Sequence, residues 1–113
     1  MANRRRGEAE VLADGRVYRL RLTLGALAEL EEAFAVDDLT ALADRFNTGR
    51  LASRDIVTIL AAAMRGAGHD VSDADVAAMS CEGGVAPLAE AALAALEAAF
   101  GATPADPRQA QAE

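Results

Sequence analysis

At 113 residues the chain has room for one domain and not for two, and its single core must be thin. Hydrophobic residues make up 52% of it but aromatics only 4%, without Trp; much of the apolar content is Ala, which favours helix while burying little area. The net charge of −7 is unevenly spread, with six Arg against three acids in residues 1–21 and five Arg against fifteen acids beyond; an acidic body with a basic edge argues against a nucleic-acid partner and can orient a protein one.

Residues 1–7 read as a basic flexible arm carrying Arg4, Arg5 and Arg6. The stretches 8–12 and 17–22 read as strands around Ala13-Asp14-Gly15-Arg16, because Asp-Gly is a strong hairpin turn. In the second strand Tyr18, Leu20 and Leu22 alternate with Val17, Arg19 and Arg21, so one face is apolar and the other mostly cationic. A lone hairpin is marginal in water and must lie on helices or another sheet.

The period then changes to that of a helix. Thr23 or Leu24 opens the first, with Leu24, Leu27, Leu30 and Phe34 three and four apart. Asp37-Asp38 caps a second, which turns Leu39, Leu42, Ala43 and Phe46 inward and ends at Asn47-Thr48-Gly49. Ser53 caps a third, with Ile56, Ile59, Leu60 and Met64 on one side and Gly66-Ala67-Gly68 as its stop. Ser72-Asp73-Ala74-Asp75 resembles a capping box and starts a short fourth helix through Val76 and Met79. Cys81-Glu82-Gly83-Gly84 breaks the chain again. Pro87 stands in the first turn of the last helix, which carries Val85, Leu88, Ala92, Leu93, Leu96 and Phe100. After Gly101 the periodicity ends, and 101–113 reads as a disordered tail. The expected fold is α+β, mostly α: a hairpin followed by four or five short helices in one domain over 8–100.

Little in this sequence points to catalysis or to a bound cofactor. His69 and Cys81 are single, so a metal site lacks ligands and an internal disulfide lacks a second thiol. The stretch Asp70–Asp75 fails as a calcium loop, with Asp75 at the turn position and Cys81 at the twelfth. Its acids suit helix caps better. The glycines match no phosphate-binding pattern. A helix-turn-helix of 53–65 and 73–80 would present Asp73 and Asp75 to phosphate and no Arg or Asn to bases. We therefore expect no catalytic, cofactor or metal residues and no nucleic-acid partner. The arm has the charge of a signal peptide but is followed by Glu8-Ala9-Glu10, and the apolar runs are too short to span a membrane. The expectation is a cytoplasmic protein without a membrane partner. The absence of Lys beside abundant Arg, Ala and Asp is the mark of a GC-rich bacterial genome. Protein binding is left, through an apolar helix face that short helices fail to cover. The candidates are Leu27, Leu30 and Phe34, or Leu93, Leu96 and Phe100.

Two segments carry a family likeness. Tyr18-Arg19-Leu20-Arg21-Leu22-Thr23-Leu24-Gly25-Ala26-Leu27-Ala28-Glu29-Leu30-Glu31 and Met64-Arg65-Gly66-Ala67-Gly68-His69-Asp70-Val71-Ser72-Asp73 resemble the small tail proteins of gene transfer agents and related siphophages. The likeness spans roughly residues 7–100. Members are described as tail assembly chaperones or, under an older label, as tail tube proteins. The resemblance implies a part in building a phage-like tail, with no cofactor and no catalytic residue to carry over. Two short strands are little material for a ring-forming tube subunit. The expected role is thus a chaperone that covers apolar stripes of the tape-measure protein, with the tail tube protein as a further partner. The alternative is a structural component kept in the particle, at the tube or the tip. A homo-oligomer through the hairpin edge stays open.

Overall fold

In the computed structural model, residues 8–47, 50–80 and 83–100 are described. The expectations for the basic arm 1–7, for Thr48-Gly49, for Cys81-Glu82 and for the tail 101–113 lie outside them. Strands β1 (Glu8–Ala13) and β2 (Arg16–Arg21) pair antiparallel, with Ala13 opposite Arg16 and Val11 opposite Tyr18. The turn between them needs only Asp14 and Gly15, at φ 53° and 72°. Both values are positive, as a two-residue hairpin turn requires, and Asp and Gly tolerate them. The strands thus run closer to the turn than the four-residue reading allowed. Asp14 also anchors the turn, its Oδ1 accepting from the Ser80 N–H at 2.8 Å.

Five helices follow: α1 (Leu24–Ala33), α2 (Leu39–Arg45), α3 (Ser53–Gly66), α4 (Asp73–Ala77) and α5 (Ala86–Phe100). Their starts are side-chain caps. Thr23 Oγ1 accepts from the Ala26 N–H at 3.1 Å, and Asp38 Oδ1 from the Ala41 N–H at 2.8 Å. Ser72 and Asp75 cap reciprocally at 3.0 and 2.9 Å. Each cap satisfies an N–H that the helix itself leaves without a partner. The start of α3 differs from expectation. Its cap position is Ala52 and Ser53 is its first helical residue. The capping work falls to buried Asp55, whose Oδ2 accepts from the Ala52 N–H at 2.9 Å and lies 3.7 Å from Arg45.

Helix α3 is the centre of the packing, lying against β2, α1, α4 and α5. From Ile59 to Met64 every residue is buried, so the helix is covered on all sides. Around it close the inner hairpin face (Ala9, Val11, Ala13, Tyr18, Leu20), Leu27 and Leu30 of α1, Leu42 of α2, Val76 of α4, and Ala92, Ala95 and Leu96 of α5. Leu39, expected to face inward, is 40% exposed, and Leu24 and Val85, at the starts of their apolar stripes, are 80% and 57% exposed. Each stands at the first helical position or just before it, where the chain is still swinging in from a cap.

Gly66, the last residue of α3, lies so close to β2 that a Cβ would stand 2.0 Å from the Arg21 carbonyl oxygen. That oxygen is backbone and has nowhere to move. Nearby, Arg65 joins three elements: its Nη2 donates to Glu29 at 2.6 Å, and its Nη1 to Asp73 at 3.2 Å and to the Val71 carbonyl at 3.0 Å. The Glu29 hydrogen bond above all, then Asp73, holds the Arg65 pKa above its ordinary value against the lowering effect of partial burial. All three side chains are partly in solvent, so salt screens the pairs and they contribute little stability.

Two substitutions test this backbone reading with opposite signs. Gly66→Ala should cost about 1–3 kcal/mol through overpacking. Ala35, which ends α1 at φ 55°, is a non-glycine residue in left-handed geometry. Ala35→Gly should therefore gain about 0.5–1 kcal/mol. Urea unfolding with an unchanged slope would read both.

Candidate partner-binding surface

Helix α5 sets the geometry of the surface. Its sequence is apolar almost all round, and Glu90 and Glu97 are its only charges. Ala91, Ala92, Ala95 and Leu96 are buried, while Leu88, Ala89, Leu93, Ala94 and Phe100 are only half-covered at the core's margin. Among the described residues, no helix closes over both flanks of α5.

On one flank lies an open groove of about 290 Å³ between α5 and the C-terminal end of α2. Leu93, Leu96, Glu97 and Phe100 form one wall, and Ala43, Phe46 and Asn47 the other. Phe46 is held from behind. Its ring meets Phe34 edge-on at 5.0 Å, and the Arg45 guanidinium lies 5.4 and 5.5 Å from the two ring centres. The groove thus has an aromatic wall with a fixed orientation. On the other flank a slot of about 300 Å³ runs between α5 and β1, lined by Glu10, Val11, Leu12, Pro87, Glu90, Ala91 and Ala94. A third hollow, about 170 Å³, holds the Arg65–Glu29 pair and is structural.

The two sets of sequence candidates fall in different places. Leu27 and Leu30 are buried in the core. Phe34 is half-buried against Phe46 and Arg45, behind the groove rather than in it. Leu93, Leu96 and Phe100 come together in the groove, Leu96 buried and the other two half-covered. Sequence reasoning missed the facing wall of Ala43, Phe46 and Asn47, and Glu97 at the rim. Helical spacing groups residues on one helix and carries no signal of which second helix lies opposite.

Of the residues weighed for other chemistry, His69, Asp73 and Asp75 have structural partners, and Cys81 lies outside the described residues. His69 Nε2 accepts from the Arg19 backbone N–H at 3.2 Å, and its ring meets Tyr18 edge-on at 5.1 Å. Among the described residues no three His, Cys, Asp or Glu side chains are grouped to hold a metal, and no helix is long and apolar enough to cross a membrane. Helix α4 has five residues, and its acids serve as caps and as a partner of Arg65.

Removing the Phe46 ring should cost about 3 kcal/mol, because it supports Phe34 and Arg45 as well as the core. Leu93→Ser, at the half-open wall, should cost about 1 kcal/mol. Urea midpoints of F46A and L93S would check the separation between a structural wall and an available one.

Residues 6–103 match the family profile described as phage tail tube protein, GTA-gp10. No curated protein and no solved structure gives a significant match.

Proposed function

Because the chain belongs to the GTA-gp10 family of phage tail proteins, we propose that it helps to build a phage-like tail by holding a helical segment of another tail protein in the α2–α5 groove. The family is a structural one, so the function rests on binding and not on catalysis. The observation that carries the proposal is the groove itself. Leu93 and Phe100 face Phe46 across an open apolar channel, the form in which an amphipathic helix is received.

Two roles fit this activity. The family description names a tail tube protein and so favours a structural component that stays in the particle. The second reading is a chaperone for the tape-measure protein, and one observation favours it. The described residues contain a single two-stranded sheet, little strand from which to close a ring. A chaperone of this kind covers apolar stripes until tube subunits replace it, so each contact must be weak and quickly released.

Co-expression with a tape-measure protein of the same phage-like particle, followed by pull-down and a count of this chain in purified particles, separates the roles. A retained component should be present stoichiometrically. A chaperone should keep the tape measure soluble and be missing from particles. If the chain retains no tail protein and is absent from particles, both roles fail.

A further inference from the structure

We infer that the α2–α5 groove selects a basic partner helix: an amphipathic segment whose apolar stripe seats on half-covered Leu93 and Phe100, beside the buried Phe46 ring, and whose flanking cations meet the carboxylates of α5. The inference rests on the proposed binding role and names the chemistry of the partner.

Charge decides it. The only charged side chain on the groove walls is Glu97, and Glu90 follows on the same helix; Glu10, across the slot, stands opposite Arg19 in the hairpin. No described cation lines either flank of α5. Arg45, the nearest on α2, stands over the Phe34 and Phe46 rings and beside Asp55. The carboxylates of α5 thus favour a cationic segment at the groove and disfavour an acidic one.

Two other occupants fit less well. One is the chain's own residues 101–113. They contain no Leu, Ile, Val, Met or aromatic residue with which to fill an apolar channel. A second copy would have to offer its own α5, the helix with the uncovered apolar flank. That contact would set Glu90 and Glu97 of one copy against those of the other, and like charges across an interface oppose association.

The test uses the full chain and two synthetic helical peptides with the same leucine stripe, one flanked by Arg and the other by Glu. Fluorescence anisotropy measures affinity, and NMR shifts map the contact. The Arg peptide should bind, shift Phe46, Leu93 and Phe100, and weaken as salt is raised. Glu97→Arg, at an exposed position, should weaken it about 3-fold to 5-fold, the effect of one rim charge. Leu93→Ser should weaken it with both peptides alike. Equal binding of the two peptides, or tighter binding of the Glu peptide, would overturn the inference. So would nuclear Overhauser contacts from residues 101–113 into the groove of the free protein, or a dimer that L93S dissolves. If the Arg peptide binds as described while no tail protein is retained from co-expression, the inference about the groove holds and the tail-building role fails. If a tail protein is retained but neither peptide binds, the reverse is true.

Discussion

The fold depends on the enclosure of one helix. From Ile59 to Met64, α3 is buried on every side, with Ala61, Ala62 and Ala63 in the middle of the run. Small side chains there let the hairpin, α1, α4 and α5 approach the helix from different directions at once. The closest approach is at its end, where Gly66 admits the Arg21 carbonyl. The last turn of α3 is thereby fixed against the end of β2, and through the short Leu22-Thr23 connection it also fixes where α1 begins. Both segments that carry the family likeness meet at this point: one contains Arg21 and Thr23, the other Gly66. The motifs are distant in sequence and adjacent in space because a helix and a strand end must share a gap without room for a Cβ.

Local chemistry was legible and coverage was not. Asp14-Gly15 announced its turn, and Thr23, Asp38 and Ser72 announced three of the helix starts, because each acts through an N–H within three residues. Ser53 misled because a hydroxyl at a helix start looks like a cap even where Asp55, two residues on, takes the bond. The apolar stripes were read correctly as stripes, yet whether a stripe is core or surface depends on what lies opposite. Leu27 and Leu30 vanish into the core while Leu93 and Phe100, at similar spacing, stay half-open. Nothing in either pattern distinguishes them. The difference arises because α1 is met by α3, whereas the C-terminal half of α5 extends to where only the short α2 stands beside it.

Composition explains why such a flank exists. The last helix reads as a core helix by its residues, with two charges in fifteen positions. A helix apolar on all sides needs neighbours all round, as α3 has. The described residues supply them to α3 and leave the flanks of α5 half-covered. Alanine, which fills so much of both helices, lowers the cost of this imbalance because each exposed Cβ leaves little apolar area in water. The larger groups, Leu93 and Phe100, are the ones drawn to the groove, where Phe46 partly shelters them.

The distribution of charge follows the same division of the molecule. On the outer hairpin face Glu10 stands opposite Arg19, whereas α5 carries only the charges of Glu90 and Glu97. The carboxylates of α5 favour the approach of a basic helix to that flank. Steering of this sort raises the rate of encounter more than it deepens binding, and it weakens as salt screens it. For a protein that must take hold of a tail partner and, in the chaperone reading, later release it, fast encounter through charge with shallow apolar contact is the combination that permits both. A deeper, fully closed groove would hold the partner longer, and it would need the additional large side chains that this alanine-rich chain lacks.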